Sequence, residues 1–321
     1  MARILEPTAQ SIALAAEAIA AGHTVALPTE TVYGLGADAT NDAAVAAIFA
    51  AKERPRFNPL IVHVPDIAAA QRHVEWTPLA QKLAAAFWPG PLTLVLPRTQ
   101  DCPAAWLSCA GLSTIAVRCP RHATALALIT ALGHPVAAPS ANRSGSISPT
   151  TAQHVAESLS DAVPVILDGG ASEVGLESSI LDLTTDTPTL LRPGGLSRED
   201  IEAVIGPIAL SSETPSAPKS PGQLLRHYAP ALPVRLAATG VSENEALLGF
   251  GNVPEGMREK AAAFANLSEH GDLREAAANL FAMMHALDIP GMAGMAIMEI
   301  PTHGLGLAIN DRLKRAAFRK G

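Results

Sequence analysis

Short apolar runs that end in clusters of hydroxyl, amide or guanidinium side chains alternate with helical segments through the first two hundred residues of this chain. The helix "AQSIALAAEAIAAG", stopped by Gly22, leads into the run "HTVALP" (His23 to Pro28). "NDAAVAAIFAAK" (Asn41 to Lys52) has Asn41 or Asp42 available as a cap, and "NPLIVHV" (Asn58 to Val64) follows it. "TPLAQKLAAAFWPG" is a third helix, stopped at Pro89-Gly90, and then come "PLTLVLP", "TIAVRCP", "PVAAPSAN", "VPVILDGG" and "SSILDLTT". Strand-length runs separated by turn chemistry and helices predict one α/β domain over this stretch.

The pattern breaks at "SSETPSAPKSPGQ" (Ser211 to Gln223), which is rich in Pro and Ser and has no periodicity. Such a segment reads as an extended linker. Alternation resumes beyond "HYAPALP", with "EALLGFG", the helix "GDLREAAANLFAMMHALD", the apolar "GMAGMAIMEIP" and the helix "LAINDRLKRAAFRK". A unit of about 90 residues is just large enough for a small α/β domain of its own. The expected organisation is therefore residues 1–208, a linker over 209–231, and a second domain over 232–321. A length of 321 residues fits two domains.

Charge and cysteine content exclude several classes. A formal net charge of -7 gives no global basic field for nucleic acid, so any anion site has to be a local cluster. Cys102, Cys109 and Cys119 stand at no metal-like spacing and make no even disulfide framework, which favours a reducing cytoplasmic setting. The first helix contains Glu17 and reads as amphipathic, neither a secretion signal nor a membrane span. The chain lacks the P-loop pattern, the Rossmann G-x-G-x-x-G, H-E-x-x-H and cysteine-based zinc spacings.

Local clusters do occur. In "AKERPRFNPLIVHV", Lys52, Arg54 and Arg56 crowd round Pro55, which suits either a solvated basic turn or a phosphate site. His63 shares a strand face with Ile61, as a satisfied structural histidine or as a ligand contact, with Asn58 at the strand entrance. Thr114 opens the strand that carries Arg118, a cation that requires a salt bridge or a bound carboxylate. "PVAAPSANRSGSISPT" sets Ser140, Asn142, Ser144, Ser146 and Ser148 after a small-residue strand, where free backbone amides can hold phosphate. Ser178 precedes another strand, and Arg192 closes one before Pro193-Gly194-Gly195. "PTETVYGLGAD" (Pro28 to Asp38) packs hydroxyls, a carboxylate, a tyrosine and glycines into what reads as one turn.

In order, "PTETVYGLG", "KERPRFNPLIVHV", "PGPLTLVLP", "TIAVRCPRH", "APSANRSGSISPT", "ESSILDL" and "LRPGG" resemble the threonylcarbamoyl-AMP synthases. "SPGQLLRHYAP" and "GLGLAINDRLKRAA" are similar to the linker and tail of their longer, two-domain type. The resemblance implies a twisted, mixed-sheet α/β domain round a deep concave site, an extended linker and a small Rossmann-like C-terminal domain. It implies condensation of L-threonine, bicarbonate or CO2, and ATP with Mg2+, giving threonylcarbamoyl-AMP and pyrophosphate. A separate transferase complex would then load tRNAs that read ANN codons, so the contact with tRNA is indirect, and no membrane is involved.

By the same resemblance, Lys52, Arg54, Ser140 and Asn142 form the catalytic set. Thr31, His63, Arg118, Ala138 (through its backbone) and Ser178 hold threonine. Arg54, Asn58, Thr114, Ser140, Ser148 and Arg192 hold ATP, with His227 and Tyr228 folding over the nucleotide. "PTETVYGLGAD" becomes the floor of the amino-acid pocket, with Gly34 and Gly36 permitting close approach. Two departures stand out. Glu53 replaces a common glycine, which would put a carboxylate beside the triphosphate, and Leu224-Leu225 replace a more polar or aromatic pair. Two other functions fit less well: an RNA-binding module, and a carbamoyl-adenylating enzyme of hydrogenase maturation, which normally carries zinc-finger-like cysteines.

Overall fold

A computed structural model describes residues 2–159, 162–211, 220–221 and 227–318. Leu224-Leu225 and most of the Pro/Ser-rich linker lie outside the described residues. The strands are β1 (Arg3–Leu5), β2 (Val25–Leu27), β3 (Gly34–Asp38), β4 (Ile61–His63), β5 (Leu92–Pro97), β6 (Thr114–Arg118), β7 (Val136–Ala137) and β8 (Val165–Leu167). They continue with β9 (Ser179–Asp182), β10 (Thr189–Arg192), β11 (Ala209–Leu210), β12 (Val234–Arg235), β13 (Glu245–Gly249), β14 (Ala263–Asn266) and β15 (Gly294–Ile297).

β1 to β11 form one mixed sheet in the order β1-β8-β2-β3-β7-β4-β6-β5-β9-β10-β11. Side-chain alternation along its central strands decides where the site lies. Ile61, Ala116 and Ile180 join Val95 and Leu191 in a small apolar cluster on one face. His63, Arg118 and Ser178 stand two residues from the first three and so share that face. β10 reaches it differently. Its register against β9 shifts between Leu190 and Arg192, so Leu191 enters the cluster while Arg192 is still available to the site. The main core, on the other side, gathers Leu35, Ile48, Leu83, Leu94, Val117 and Leu181. The helix Ala9–Ala20 packs on the helix Ala123–Leu132 over a separate cluster with β2 and β8.

The most informative helix is Asp42–Lys52. Asn41 caps its start, accepting from the backbone N–H groups of Ala43 and Ala44. Its last residue is Lys52, and Glu53 closes it in the left-handed region at φ 52° and ψ 40°. The stop signal is thus a geometry that glycine adopts at less cost.

β12 to β15 make a parallel four-stranded sheet in the order β12-β15-β13-β14. The helices Leu273–Leu287 and Gly306–Ala317 cover one face, and Met257 of the short helix Glu255–Lys260 packs on the other. The core under the two longer helices also takes in Val32, Ile147, Leu176 and Tyr228 from outside this unit. At Gly175, with φ 71°, an added Cβ would lie 2.5 Å from the carbonyl oxygens of Ala277 and Ala278. The two sheets are thus joined through a shared apolar core and a backbone contact that only glycine permits.

Two expectations are corrected. "PTETVYGLGAD" is not one turn, because Gly34–Asp38 is β3, antiparallel to both β2 and β7. Gly36 serves packing, since a Cβ there would meet Leu27 at 2.7 Å and Val136 at 2.8 Å; Gly34 does face the cleft described next.

Candidate active site

A cleft opens at the polar ends of β4, β6, β9 and β10. Thr31, Arg54, His63, Arg118, Ser140 and Arg192 line it, together with Ala138, Glu177 and Ser178. Pro221, His227 and Tyr228 close one side.

Positive charge dominates the surroundings. Lys52, Arg54, Arg118 and Arg192 are all buried, against the buried carboxylates Glu30 and Glu177. Burial, then the nearby Arg192, pushes Arg54 down to about 9; burial also lowers Arg192. Burial and the neighbouring Arg54 lower Lys52 well below the ordinary lysine value. Four buried cations outnumber these two carboxylates, and an anion is what would relieve the excess charge.

Each cation is held from behind. Arg54 donates through Nε to the Asn58 carbonyl (3.3 Å) and through Nη2 to the Pro59 carbonyl (2.9 Å). Arg192 donates through Nε and Nη2 to the Ser178 carbonyl, at 3.2 and 2.8 Å, and through Nη1 to the Pro221 carbonyl at 3.3 Å. Arg118 pairs with Glu30 at 2.8 Å and donates through Nε to the Gly90 carbonyl. These bonds fix the guanidinium groups before any ligand arrives.

Hydroxyls and an imidazole line the cleft among these cations, with Arg192 Nη2 donating to the Ser178 hydroxyl at 3.2 Å. The Thr31 and Thr29 hydroxyls lie 2.8 Å apart, and those of Ser178 and Thr93 2.7 Å apart. His63 stands opposite Arg118 in the β4/β6 register. Burial first, then Arg118, drives His63 down to about 3, so its ring is neutral, and its Nδ1 has no partner among the described residues. The Ala138 N–H is committed to the Ile61 carbonyl, so a backbone contact from Ala138 to a ligand would run through its carbonyl.

Known proteins match this architecture along nearly its whole length. The Sua5/YciO/YrdC family model, described as "Telomere recombination", matches residues 17–194, more than half of the chain. A model described as "Threonylcarbamoyl-AMP synthase, C-terminal domain" matches residues 196–318. The threonylcarbamoyl-AMP synthases of Bacillus subtilis and Pyrococcus abyssi are each 41% identical, covering 95% of this chain and 92% and 94% of theirs. The chain belongs to the threonylcarbamoyl-AMP synthase family.

Structures of relatives agree with this membership. Pyrococcus abyssi Sua5 complexed with L-threonine superposes with a TM-score of 0.87 at 39% identity, covering 95% of this chain and 94% of that one. A histidine/tyrosine double-alanine variant of the same relative gives 0.89 at 37% identity, covering 99% and 96%. The Escherichia coli YciO structure, at 23% identity and TM-score 0.54, covers 60% of this chain and shares the fold.

For this member of the threonylcarbamoyl-AMP synthase family, the structure gathers the expected threonine set, Thr31, His63, Arg118, Ala138 and Ser178, around one cleft. Arg54, Ser140, Arg192, His227 and Tyr228 of the expected ATP set line the same cleft. The rest stand behind it. Lys52 donates its ammonium to the carbonyls of Ser140 and Asn142, so it holds the Ser-rich loop instead of facing the cleft. Asn142 donates to the carbonyls of Arg143 and Ser146 within that loop. Ser148 reaches the cleft only through Glu177, to which it donates at 2.6 Å. Asn58 is fully buried with its side-chain amide unpartnered among the described residues, and Thr114 sits half-buried opposite Pro97.

The Glu53 expectation is corrected as well. Its side chain is exposed, 3.8 Å from Arg143, and does not line the cleft. Sequence reasoning missed Glu30, Glu177 and Arg312. A signal for the last was present: Ile309, Arg312, Leu313 and Ala316 form one buried helical stripe, and an arginine has no ordinary reason to lie in it.

Proposed function

We propose that the cleft holds L-threonine and ATP side by side and joins them through a carbamate. The observation that carries this reading is the meeting, in one cleft, of hydroxyls and a neutral imidazole with cations whose guanidinium groups are already immobilised. Arg118 suits the threonine carboxylate. The neutral His63 and the Thr31 and Ser178 hydroxyls suit its polar side chain. Arg54 and Arg192, with the backbone around Ser140, suit the triphosphate.

The threonine amine captures CO2 to give a carbamate, and a carbamate oxygen attacks the α-phosphorus in line as pyrophosphate leaves. Little covalent work falls to the protein. Positioning of a fragile carbamate against ATP, and cations that stabilise the developing phosphate charge, supply the catalysis. Among the described residues no cluster of His, Cys, Asp or Glu could hold a metal, and in this reading Mg2+ arrives on the ATP phosphates. A separate transferase that carries the product to tRNA is the expected partner.

The test is ATP-dependent pyrophosphate release with L-threonine and bicarbonate, compared with each omitted and with L-serine in place of threonine. Dependence on all three substrates is expected. Release that ignores threonine would mean simple ATP hydrolysis and would end the proposal.

A further inference from the structure

The helix Gly306–Ala317 belongs to the smaller unit, yet its Arg312 is wholly buried and reaches the wall of the cleft. Through Nε it donates to Glu177 Oε2 at 2.9 Å, and through Nη1 to the Pro193 carbonyl at 2.8 Å. Asp311 pairs with it at 2.8 Å, and its guanidinium carbon lies 5.1 Å from the centre of the Tyr228 ring. Tyr228, held at φ 62°, also stacks on Phe281 at 5.5 Å. Glu177, Pro193 and Tyr228 directly precede or follow Ser178, Arg192 and His227, and those three line the cleft. One side chain thus ties together three separate segments of the site wall.

The charge arrangement has a direction. Glu177 lines the cleft, and its other oxygen accepts from Ser148. Burial alone would raise the Glu177 carboxyl, but Arg312, then Arg192 and Ser148, hold it below its usual value, so it is ionised. A bare carboxylate at this position would oppose a triphosphate. Arg312 neutralises it from the side away from the cleft.

We infer that Arg312 is a positioning residue for ATP: the smaller unit delivers it to neutralise Glu177 and to fix the segments that carry Arg192 and His227. This rests on the reading of the cleft as an ATP site. It gives the smaller unit a task in the reaction although none of its own strands or helices lines the cleft. The sign of the electrostatic effect separates this role from that of a simple staple. Removing the cation while keeping the carboxylate weakens ATP binding; removing the carboxylate while keeping the cation does not.

The experiment measures the Kd of the full-length protein for Mg2+ with a non-hydrolysable ATP analogue, the Kd for L-threonine, and the melting temperature. The proteins compared are wild type, Arg312→Met, Arg312→Lys, Glu177→Gln and the Arg312→Met/Glu177→Gln pair. Arg312→Met is expected to weaken nucleotide binding at least about tenfold, the range of coupling between linked sites, while threonine binding shifts less than about threefold. Arg312→Lys, which keeps the charge but not the forked bonds, should lose less than Arg312→Met; Glu177→Gln should bind nucleotide no more weakly than wild type; and the double variant should recover most of the Arg312→Met loss. Should Arg312→Met fail to fold, the double variant decides alone: nucleotide binding near wild type is expected, and a loss of about tenfold would overturn the inference.

Parallel weakening of both ligands, a double variant no better than Arg312→Met, or equal nucleotide loss in Glu177→Gln would overturn the inference. Failure of the underlying reading is distinguishable, because wild type itself would then release no threonine-dependent pyrophosphate.

Discussion

Glu53 shows how a single backbone angle can matter more than a charge. It ends the helix Asp42–Lys52 at φ 52°, a conformation that costs a residue with a Cβ about 1–2 kcal/mol, while its carboxylate stands in solvent. Glu53→Gly removes that strain and adds some unfolded-state freedom, so a net gain of about 0.5–1 kcal/mol is expected. Denaturant unfolding would measure it, and a loss of stability would show that the contact with Arg143 outweighs the strain. At this scale the sequence was legible for residue types and less so for their directions. Arg118 could be picked out because a cation in an apolar strand demands a partner, and Arg54 because cations crowd round Pro55. That Lys52 points back onto the Ser140 and Asn142 carbonyls depends on how the Ser-rich loop folds over the helix end, and nothing local encodes that.

Among the elements, the strands that present the site were readable because each is a short apolar run that stops at a polar residue. β4, β5, β6 and β8 all lie inside the runs marked from the sequence. β3 was hidden: Gly34–Asp38 contains two glycines and ends in an acid, a composition that says turn, and its extended form is imposed by β2 and β7 on either side. The helix Ala123–Leu132 was hidden for the opposite reason, since its residues are apolar nearly all round and show no stripe. The close pairing of β9 with β10 gives an element-scale prediction. A Cβ on Gly194 would fall 2.3 Å from the Glu177 carbonyl oxygen and 2.5 Å from the Ser179 nitrogen, and backbone atoms cannot move aside as a side chain would. Gly194→Ala should therefore cost about 1–3 kcal/mol of stability, the usual range for overpacking, and should also raise the KM for ATP by shifting Arg192. Thermal melts with steady-state kinetics would check both, and a stable variant with unchanged KM would contradict the account.

For the whole molecule, the junction between the two sheets is the part the sequence concealed. The contacts there join residues far apart along the chain, such as Gly175 with Ala277 and His154 with His285, and one sequence by itself carries no record of such pairs. His154 and His285 stack across this junction, 4.1 Å between ring centres. Burial, then His285, pushes His154 from the usual 6.5 down to about 4; burial lowers His285 too, against the opposing pull of the Ser148 carbonyl, Glu157 and Asp288. Both imidazoles are thus neutral when folded, but in the unfolded chain they gain protons below about pH 6.5. Stability is undiminished above that pH and declines as pH falls toward about 4, because the unfolded state binds more protons there. His63, held near 3, adds to the same decline. The melting temperature should therefore drop through this window, and His285→Gln should flatten part of the slope. An unchanged slope would place the acid sensitivity elsewhere.

The position of Arg312 along the chain also bears on how the protein is made. A ribosome releases Thr31, His63, Arg118, Ser178 and Arg192 well before it releases Arg312, so a nascent chain holds an almost complete set of cleft residues while Glu177 still lacks its guanidinium partner. Only after the helix Gly306–Ala317 has emerged and docked does that wall reach its final charge, so the last helix to be made completes a site wall laid down long before it.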